Sequence, residues 1–261
     1  RFAWEVGLEM STKFYRTNPN FRSDFLKAQG FRHILKPYIN YTYLPEPDLE
    51  RENIYFFDEV DRLQQTHFVR VGVDNRFQTR RKRRIHTFAR MENYVDFNLN
   101  TDTEGDVQSA DFGTVIELAP SDKWKSWVKV LIDTDQGELS ALNAGFRFGA
   151  AGDPTLSVAY LFRDDFVQNE PYSMGSDFTR IVNSSLFPTE YDKNHNVQLT
   201  LNVPLNAKTQ FRVEQYYDLD KDELARQRYE IIRDLHCWVG SLRLDKDRDD
   251  FSVMMSFYLK A

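Results

Sequence analysis

The sequence predicts an all-β protein: an antiparallel up-and-down transmembrane β-barrel, or the C-terminal part of a larger one. Three observations lead to this prediction. Apolar and polar residues alternate with period two through most of the 261 residues, which is the spacing of a β-strand. Several alternating segments reach about nine residues, the length that crosses a bilayer. Short and long connections also alternate along the chain, as they do in outer-membrane barrels.

The composition indicates a folded domain and argues against overall electrostatic binding of nucleic acid and against a disulfide-rich scaffold. A formal net charge of -6, with 41% hydrophobic and 28% charged residues, suits a folded domain with a core and gives no overall electrostatic basis for binding nucleic acid. Aromatic residues make up 15% of the chain. The mean hydropathy is only -0.60, but a barrel exposes alternate residues to lipid, so this value is compatible with a membrane sheet. The one cysteine, Cys237, excludes an internal disulfide framework.

The individual strands are predicted from alternation bounded by turn signals. The pattern is clearest in residues 2–14, 197–205 and 251–259. Successive side chains of a strand point to opposite faces, so we expect the odd positions of 197–203 to face lipid and the even positions to face the lumen. About thirteen strands follow, near residues 2–16, 32–44, 66–78, 86–99, 111–119, 124–132, 138–148, 155–163, 195–204, 208–217, 224–233, 237–245 and 250–260.

The connections fall into two sets that alternate along the chain. The short set comprises 80–85, 120–122, 149–154, 206–207 and 234–236. The other set is often longer and acidic and comprises 45–65, 100–110, 164–194, 218–222 and 245–249. The link at 17–31 is an exception, because it is long on the short-turn side. Short turns of an outer-membrane barrel lie in the periplasm, so we expect the turn at 234–236 there.

A soluble β-sandwich produces the same alternation, with its apolar faces turned inward. Long strands, alternating turn lengths and aromatic residues near strand ends favour the membrane interpretation, because aromatic girdles mark both interfaces of a barrel in lipid. Dependence on detergent distinguishes the two. The aromatic residues concerned are Tyr41, Tyr43, Trp124, Phe148, Tyr217, Trp238 and Phe257.

If the apolar faces meet lipid, the polar faces line the interior of the barrel. Charges of both signs on these faces suit a hydrated lumen, or one that holds another protein. Alternatively, they are cross-strand ion pairs that only solvate the interior and contribute about 0.2–1 kcal/mol each. The lumen candidates are Arg70, Asp74, Arg76, Arg90, Glu92, Asp96, Arg212 and Glu214.

The strongest local charge feature is the basic run Arg80, Arg81, Lys82, Arg83 and Arg84. Guanidinium and ammonium groups bind phosphate, so the run could contact anionic groups of a lipid or a partner. A solvated turn is the simpler interpretation, and the sequence alone leaves both open.

The sequence contains no constellation that predicts catalysis, a metal or a cofactor. The five histidines, at positions 33, 67, 86, 195 and 236, have no metal-ligand spacing. Ser184 and Ser185 lack the glycines of a nucleophile elbow, and there is no glycine-rich phosphate loop. We therefore predict that the protein is not an enzyme. A barrel-embedded lipid hydrolase stays an alternative, because its serine and histidine need only be close in space.

A series of short motifs carries a resemblance to a known family. Their order and spacing, from about residue 31 to 261, resemble the C-terminal barrel region of the LptD (OstA, organic-solvent-tolerance) family of lipopolysaccharide-assembly outer-membrane proteins. The motifs are Phe57–Asp58, Asp61–Leu63, Asn75–Phe77, Glu117–Trp124, Asp133–Gly137, Leu142–Phe148, Asp153–Pro154, Val158–Arg163, Val197–Leu205, Tyr217–Asp218, Tyr229–Glu230 and Asp234–Trp238.

The resemblance implies a function in the cell outer membrane of a Gram-negative bacterium. The chain would be part of a translocon that takes lipopolysaccharide from a periplasmic bridge protein and inserts it into the outer leaflet, with a lipoprotein plug inside the barrel. Lipopolysaccharide and outer-membrane lipid would be its ligands, and nucleic acid would not. A smaller general porin or diffusion barrel is the alternative function.

The resemblance also implies the extent of the domain and a lateral opening. Residues 1–261 would form a single barrel domain, a fragment of a longer chain whose jellyroll domain and remaining strands lie upstream of Arg1. The opening lies between the first and last strands of the family barrel. The last strand here contributes the candidates Phe251, Val253, Met255 and Phe257. The family often has paired cysteines before the tryptophan, where this chain has His236 and Cys237.

Overall fold

In a computed structural model of the chain, the described residues form one antiparallel sheet of fourteen β-strands. The described residues are 4–24, 26, 28–45, 66–81, 83–99, 110–134, 137–150, 152–163, 194–248 and 250–259. The predicted loops 45–65, 100–110 and 164–194 therefore lie almost wholly outside them, as do Phe57–Asp58, Asp61–Leu63, Ser184 and Ser185. Within the described ranges, no helix has the length and apolar character needed to cross a membrane.

From the predicted strand 32–44 onward, each predicted strand corresponds to one strand in the structure, with ends that differ by a few residues. Neighbours in the chain are neighbours in the sheet throughout this part, as in an up-and-down meander. The strands are β1 (Val6–Ser11), β2 (Phe14–Ser23), β3 (Ala28–Leu44), β4 (Thr66–Arg81), β5 (Arg84–Asn98), β6 (Ala110–Ser121), β7 (Trp124–Asp133), β8 (Glu138–Phe148), β9 (Thr155–Arg163), β10 (Asn194–Asn206), β11 (Thr209–Asp218), β12 (Glu223–Asp234), β13 (Trp238–Asp247) and β14 (Asp250–Leu259).

The first predicted strand, 2–16, is divided in the structure into β1 and β2. Both pair with β3 in one register, with Ser11 opposite Tyr38 and Phe14 opposite Leu35. The hydrogen-bonded pairing with β3 is interrupted beside Pro37, because proline has no N–H to donate. The Thr12 N–H still donates to the Pro37 carbonyl at 3.2 Å. β1 and β2 thus occupy one position in the sheet, and fourteen strands fill thirteen positions.

The prediction of a long link at 17–31 is wrong. β2 continues to Ser23 and β3 begins at Ala28, so the two strands form a hairpin with a short turn. A bulge between Asn18 and Arg22 faces Gly30, whose φ is 76°. The bulge interrupts the ladder at residues 19–21, so regular alternation is lost in this part of β2.

The two ends of the sheet differ in their connections. One end, the short-turn end, carries the turns at 24–27, 82–83, 122–123, 149–154, 207–208 and 235–237. The other end, the long-loop end, carries the connections at 45–65, 99–109, 134–137, 164–193, 219–222 and 248–249. With the hairpin at 24–27 included, each connection at the first end is short.

The pairing register carries each face of the sheet across all strand positions, because opposite residues share a face. On the apolar face, residues 39, 71, 95, 112 and 132 lie opposite one another in five successive strands and are all isoleucine, valine or phenylalanine. Farther along, Leu201 pairs with Val213, and Leu244 with Val253. The even positions 198–202 lie on the other, polar face beside Tyr216, Glu214 and Arg212.

Burial of these faces is the inverse of that in a soluble protein. Arg70 is 5% exposed and Asp74 is 3% exposed on the polar face, whereas Ile39 and Val71 on the apolar face are 50% and 42% exposed. Charged side chains are rarely buried unless they are paired, and soluble monomers rarely expose a continuous apolar surface of this extent. The sheet therefore curls around its polar side and presents its apolar side outward.

Three aromatic rings on the polar face cover glycines of the neighbouring strand. Tyr38 is opposite Gly72, Tyr94 opposite Gly113, and Trp127 opposite Gly145. A Cβ atom added at these glycines would lie 2.6, 2.1 and 2.5 Å from the nearest ring atom. The missing side chain is thus what allows each ring to lie flat on the sheet, a cross-strand arrangement known to stabilise strand glycines.

We predict that Gly113→Ala destabilises the protein by about 1–3 kcal/mol, because the new methyl group overlaps the Tyr94 ring. The matched control is Gly240→Ala, where the nearest atom, in the Phe257 ring, is 3.0 Å away and can move. In a strand without steric conflict, glycine to alanine stabilises by roughly 0.5–1 kcal/mol. Urea titration of both variants measures the difference, and equal effects would contradict the close packing of ring on glycine.

Candidate functional site

The eight charged residues predicted for the lumen lie on the polar face in two groups. In the first group, Arg70 is opposite Asp96, Asp74 opposite Glu92, and Arg76 opposite Arg90. We call these six residues the β4–β5 charge cluster. In the second group, Arg212 is opposite Glu230 and Glu214 is opposite Arg228. We call these four residues, together with Arg243 and Asp245 of the next strand, the β11–β13 charge ladder.

The β4–β5 charge cluster is internally paired. Arg70 and Asp96 form a bidentate ion pair, with N–O distances of 2.6 and 2.7 Å. Asp74 accepts hydrogen bonds from Arg90 at 2.9 Å and from Arg76 at 2.8 Å. Three arginines thus face three carboxylates, and the cluster has no net charge.

Two tyrosines that the sequence analysis did not single out complete this cluster. Tyr38 donates its hydroxyl to Glu92 at 2.5 Å, and the same Glu92 accepts from Arg90 at 2.9 Å. The Arg70 guanidinium lies 3.8 Å from the centre of the Tyr94 ring, a cation–π contact. Because Tyr38 and Tyr94 also cover Gly72 and Gly113, and all of the six charged residues except Arg76 are buried, this part of the polar face is a neutral, largely flat wall.

The β11–β13 charge ladder is more open. Arg228 lies between Glu214 at 3.3 Å and Asp245 at 2.7 Å, and Arg243 lies 2.9 Å from Asp245. Arg212 is 3.6 Å from Glu230 and its side chain is 37% exposed. Sequence reasoning missed four of these six residues, although their phase in the predicted strands 224–233 and 237–245 was a signal that could have found them.

The basic run is a hairpin turn at the short-turn end, and its arginines differ in their surroundings. Arg81 donates to the Leu26 carbonyl at 2.6 Å and to the Pro120 carbonyl at 2.7 Å, and lies 3.4 Å from Asp122. Arg80, Arg83 and Arg84 are exposed, and Lys82 lies outside the described residues. Arg81 therefore joins three neighbouring turns, and the other three arginines are exposed to solvent.

The predicted gate strand is the edge strand β14. Phe251, Val253, Met255 and Phe257 lie on the apolar face and are 58–67% exposed. Among the described strands, β14 pairs only with β13, and β1 only with β3. The sheet is open across these two edges. β1 and β14 occupy the first and thirteenth positions of an antiparallel sheet, so they run in the same direction and could meet only as a parallel pair.

The histidines of the sheet lie among aromatic rings and polar partners. The His33 ring stacks on Phe77 with 4.6 Å between centroids, His67 contacts Tyr41 and Tyr43, and His195 contacts Tyr160. Within the described ranges, no three His, Cys, Asp or Glu side chains are grouped so that they could hold a metal ion.

We predict that Asp96→Asn destabilises the protein by about 3–5 kcal/mol, because it leaves the buried Arg70 without its anionic partner. Asp247→Asn is the control. It removes an exposed pair, Arg226–Asp247 at 2.8 Å with side chains 36% and 49% exposed, and should cost less than about 1 kcal/mol. The free energy of unfolding in urea measures both, and a similar loss in the two variants would show that the cluster is not desolvated.

Comparison with known proteins identifies a relationship for the N-terminal part of the chain. Residues 2–123 match the family model described as LptD protein, whereas a search of curated proteins gives no match. The matched part contains β1–β6, and with them the β4–β5 charge cluster and the basic turn. The motifs from Trp124 onward lie outside it. Through residues 2–123, the chain is related to the LptD family.

Proposed function

We propose that this sheet is part of an outer-membrane β-barrel, with its apolar face toward lipid and its polar face toward a hydrated lumen. The inverse burial of the two faces is the observation that carries this proposal. An apolar surface continuous over thirteen strand positions is costly in water and favourable in a bilayer. The polar face offers paired charges to water inside.

The aromatic residues at the two ends of the sheet support the same placement. Tyr41, Tyr43 and Tyr217 lie on the apolar face near the long-loop end. Trp124, Phe148, Trp238 and Phe257 lie on that face near the short-turn end. Rings in two such bands match the interfacial girdles of a membrane barrel. With short turns in the periplasm, the long-loop end faces the outside of the cell.

The relationship to the LptD family supports lipopolysaccharide transport as the function of this barrel, in preference to general diffusion or lipid hydrolysis. We propose that the chain is the C-terminal barrel part of the translocon that inserts lipopolysaccharide into the outer leaflet. It would act as a transporter and not as an enzyme. A lipoprotein plug could lie against the neutral, flat wall of the β4–β5 charge cluster, and a periplasmic bridge protein would supply the lipid.

The open edge at β14 supports a seam in this barrel. Unpaired backbone groups in lipid cost several kcal/mol each, so β14 needs a partner strand at its free edge. β1 runs in the same direction and does not pair with β14 in the described sheet. We propose that the partner is a strand outside the described residues and that the seam opens laterally. An ordinary closing strand is the alternative. Weak pairing would have to come from the partner, because no proline occurs between Asp245 and Ala261.

A covalent lock on this seam tests the proposed function. We predict that a disulfide between Val253→Cys and a cysteine on the first strand of the complete barrel blocks lipopolysaccharide export while the protein still folds. The control joins Leu244→Cys to Val253→Cys, which are already opposite each other in the β13–β14 ladder, and should leave export unchanged. Surface lipopolysaccharide is measured with and without reductant. Normal export with the seam locked would reject the lateral opening.

A further inference from the structure

We propose that the basic turn binds the phosphate groups of anionic phospholipids in the leaflet at the short-turn end of the sheet. This inference uses the proposed membrane placement but goes beyond the export function. It depends on the three exposed arginines Arg80, Arg83 and Arg84 and on the aromatic residues of the apolar face next to them.

The turn is held in a fixed position by Arg81. Its guanidinium binds the Leu26 carbonyl in the β2–β3 turn and the Pro120 carbonyl beside the β6–β7 turn, at 2.6 and 2.7 Å. The β4–β5 turn is thereby tied to its neighbours on both sides. Arg81 is occupied by these contacts, so its role is to position the turn, and the three exposed arginines are left to bind a ligand.

The exposed arginines carry charge that no described residue balances. Within the described part of the chain, the basic run forms one ion pair, between Arg81 and Asp122. None of the three exposed guanidiniums pairs with a described carboxylate. A guanidinium presents planar donors that match phosphate oxygens and is only weakly hydrated. Arg84 lies opposite Arg81 and Arg80 lies opposite Ile85, so Arg80 and Arg84 leave the hairpin from opposite faces, with Arg83 in the turn between them. Together they surround the turn with guanidinium groups that can bind a phosphodiester.

A cluster of phenylalanines on the apolar face sets the depth of this turn in the bilayer. Phe31 lies 5.6 Å from Phe21, 6.2 Å from Phe77 and 6.3 Å from Phe88, between ring centroids. Phe77 precedes Arg81 by four residues on β4, about 13 Å along the strand and about 10 Å along the membrane normal at a tilt of ~40°.

That distance leaves the turn within reach of lipid phosphates. Aromatic rings concentrate at the boundary between hydrocarbon and headgroups, and the headgroup layer is roughly 5–8 Å thick on each side. A rise of about 10 Å from the rings therefore places the backbone of the turn at the outer edge of this layer, from which the long arginine side chains extend back to the phosphates. The turn at 219–222, at the opposite end of the sheet, carries acidic residues, with Asp220 and Asp222 in the turn and Asp218 beside it.

The test compares lipid retained by the complete protein after reconstitution into vesicles of equal phosphatidylglycerol and phosphatidylcholine and extraction with mild detergent. We predict that Arg80→Gln/Arg83→Gln/Arg84→Gln lowers the preference for phosphatidylglycerol by at least about tenfold. The control Lys221→Gln/Lys246→Gln/Arg248→Gln removes the same formal charge from exposed positions at the long-loop end and should keep the preference. Resistance to unfolding in sodium dodecyl sulfate reports folding of each variant.

Three outcomes would overturn the inference. An unchanged preference for phosphatidylglycerol in the arginine variant would show that the anionic lipid binds elsewhere. An equal loss in the control variant would show that the preference depends only on the net charge of the protein. Displacement of phosphatidylglycerol by a matched concentration of inorganic phosphate would assign the turn to a free phosphate ion. Failure of the membrane placement is distinguishable, because then neither phospholipid is retained by any variant.

Discussion

The pairing register of the sheet is the constraint on which the rest of the structure depends. A slip of one residue in any strand would move its side chains to the opposite face, placing Arg70 or Glu92 outward and Val71 or Met91 inward. The register shifts lie within a few residues of strand ends, as at Phe77–Gln78, Leu131–Ile132 and Tyr216–Tyr217. The middle of the sheet is left in phase, which keeps the apolar face continuous where it would cross hydrocarbon.

The polar face meets the requirements of buried charge by cross-strand pairing. Removing charges from water is costly unless their partners are close and well oriented, and the bidentate Arg70–Asp96 pair satisfies this. Glycines opposite Tyr38 and Tyr94 let the rings lie flat beneath and beside these charges. The face is consequently smooth in β3–β6 and more open around Arg212 in β11–β13, so a bound protein and a hydrated path could occupy different parts of one lumen.

Period-two alternation was sufficient to predict the strands from β3 to β14 and the two faces, because each face is set by local phase. It missed the break between β1 and β2 beside Pro37 and the hairpin within residues 17–31, where a bulge opposite Gly30 interrupts the pattern. Contacts such as Tyr38 to Glu92 join residues 54 apart in the chain and require the register, which alternation does not contain. The pairing of Arg212 with Glu230 and of Glu214 with Arg228 needs the register for the same reason.

The central claim is that one face of this sheet meets lipid and the other meets water. It is tested most directly by attaching a nitroxide label to each position from Val197 to Val203 of β10, in the complete protein in vesicles, and measuring its collisions with oxygen and with a water-soluble nickel chelate. Oxygen concentrates in hydrocarbon. The account predicts oxygen access at the odd positions and nickel access at the even positions. Nickel access at all seven, or no alternation, would contradict a membrane sheet.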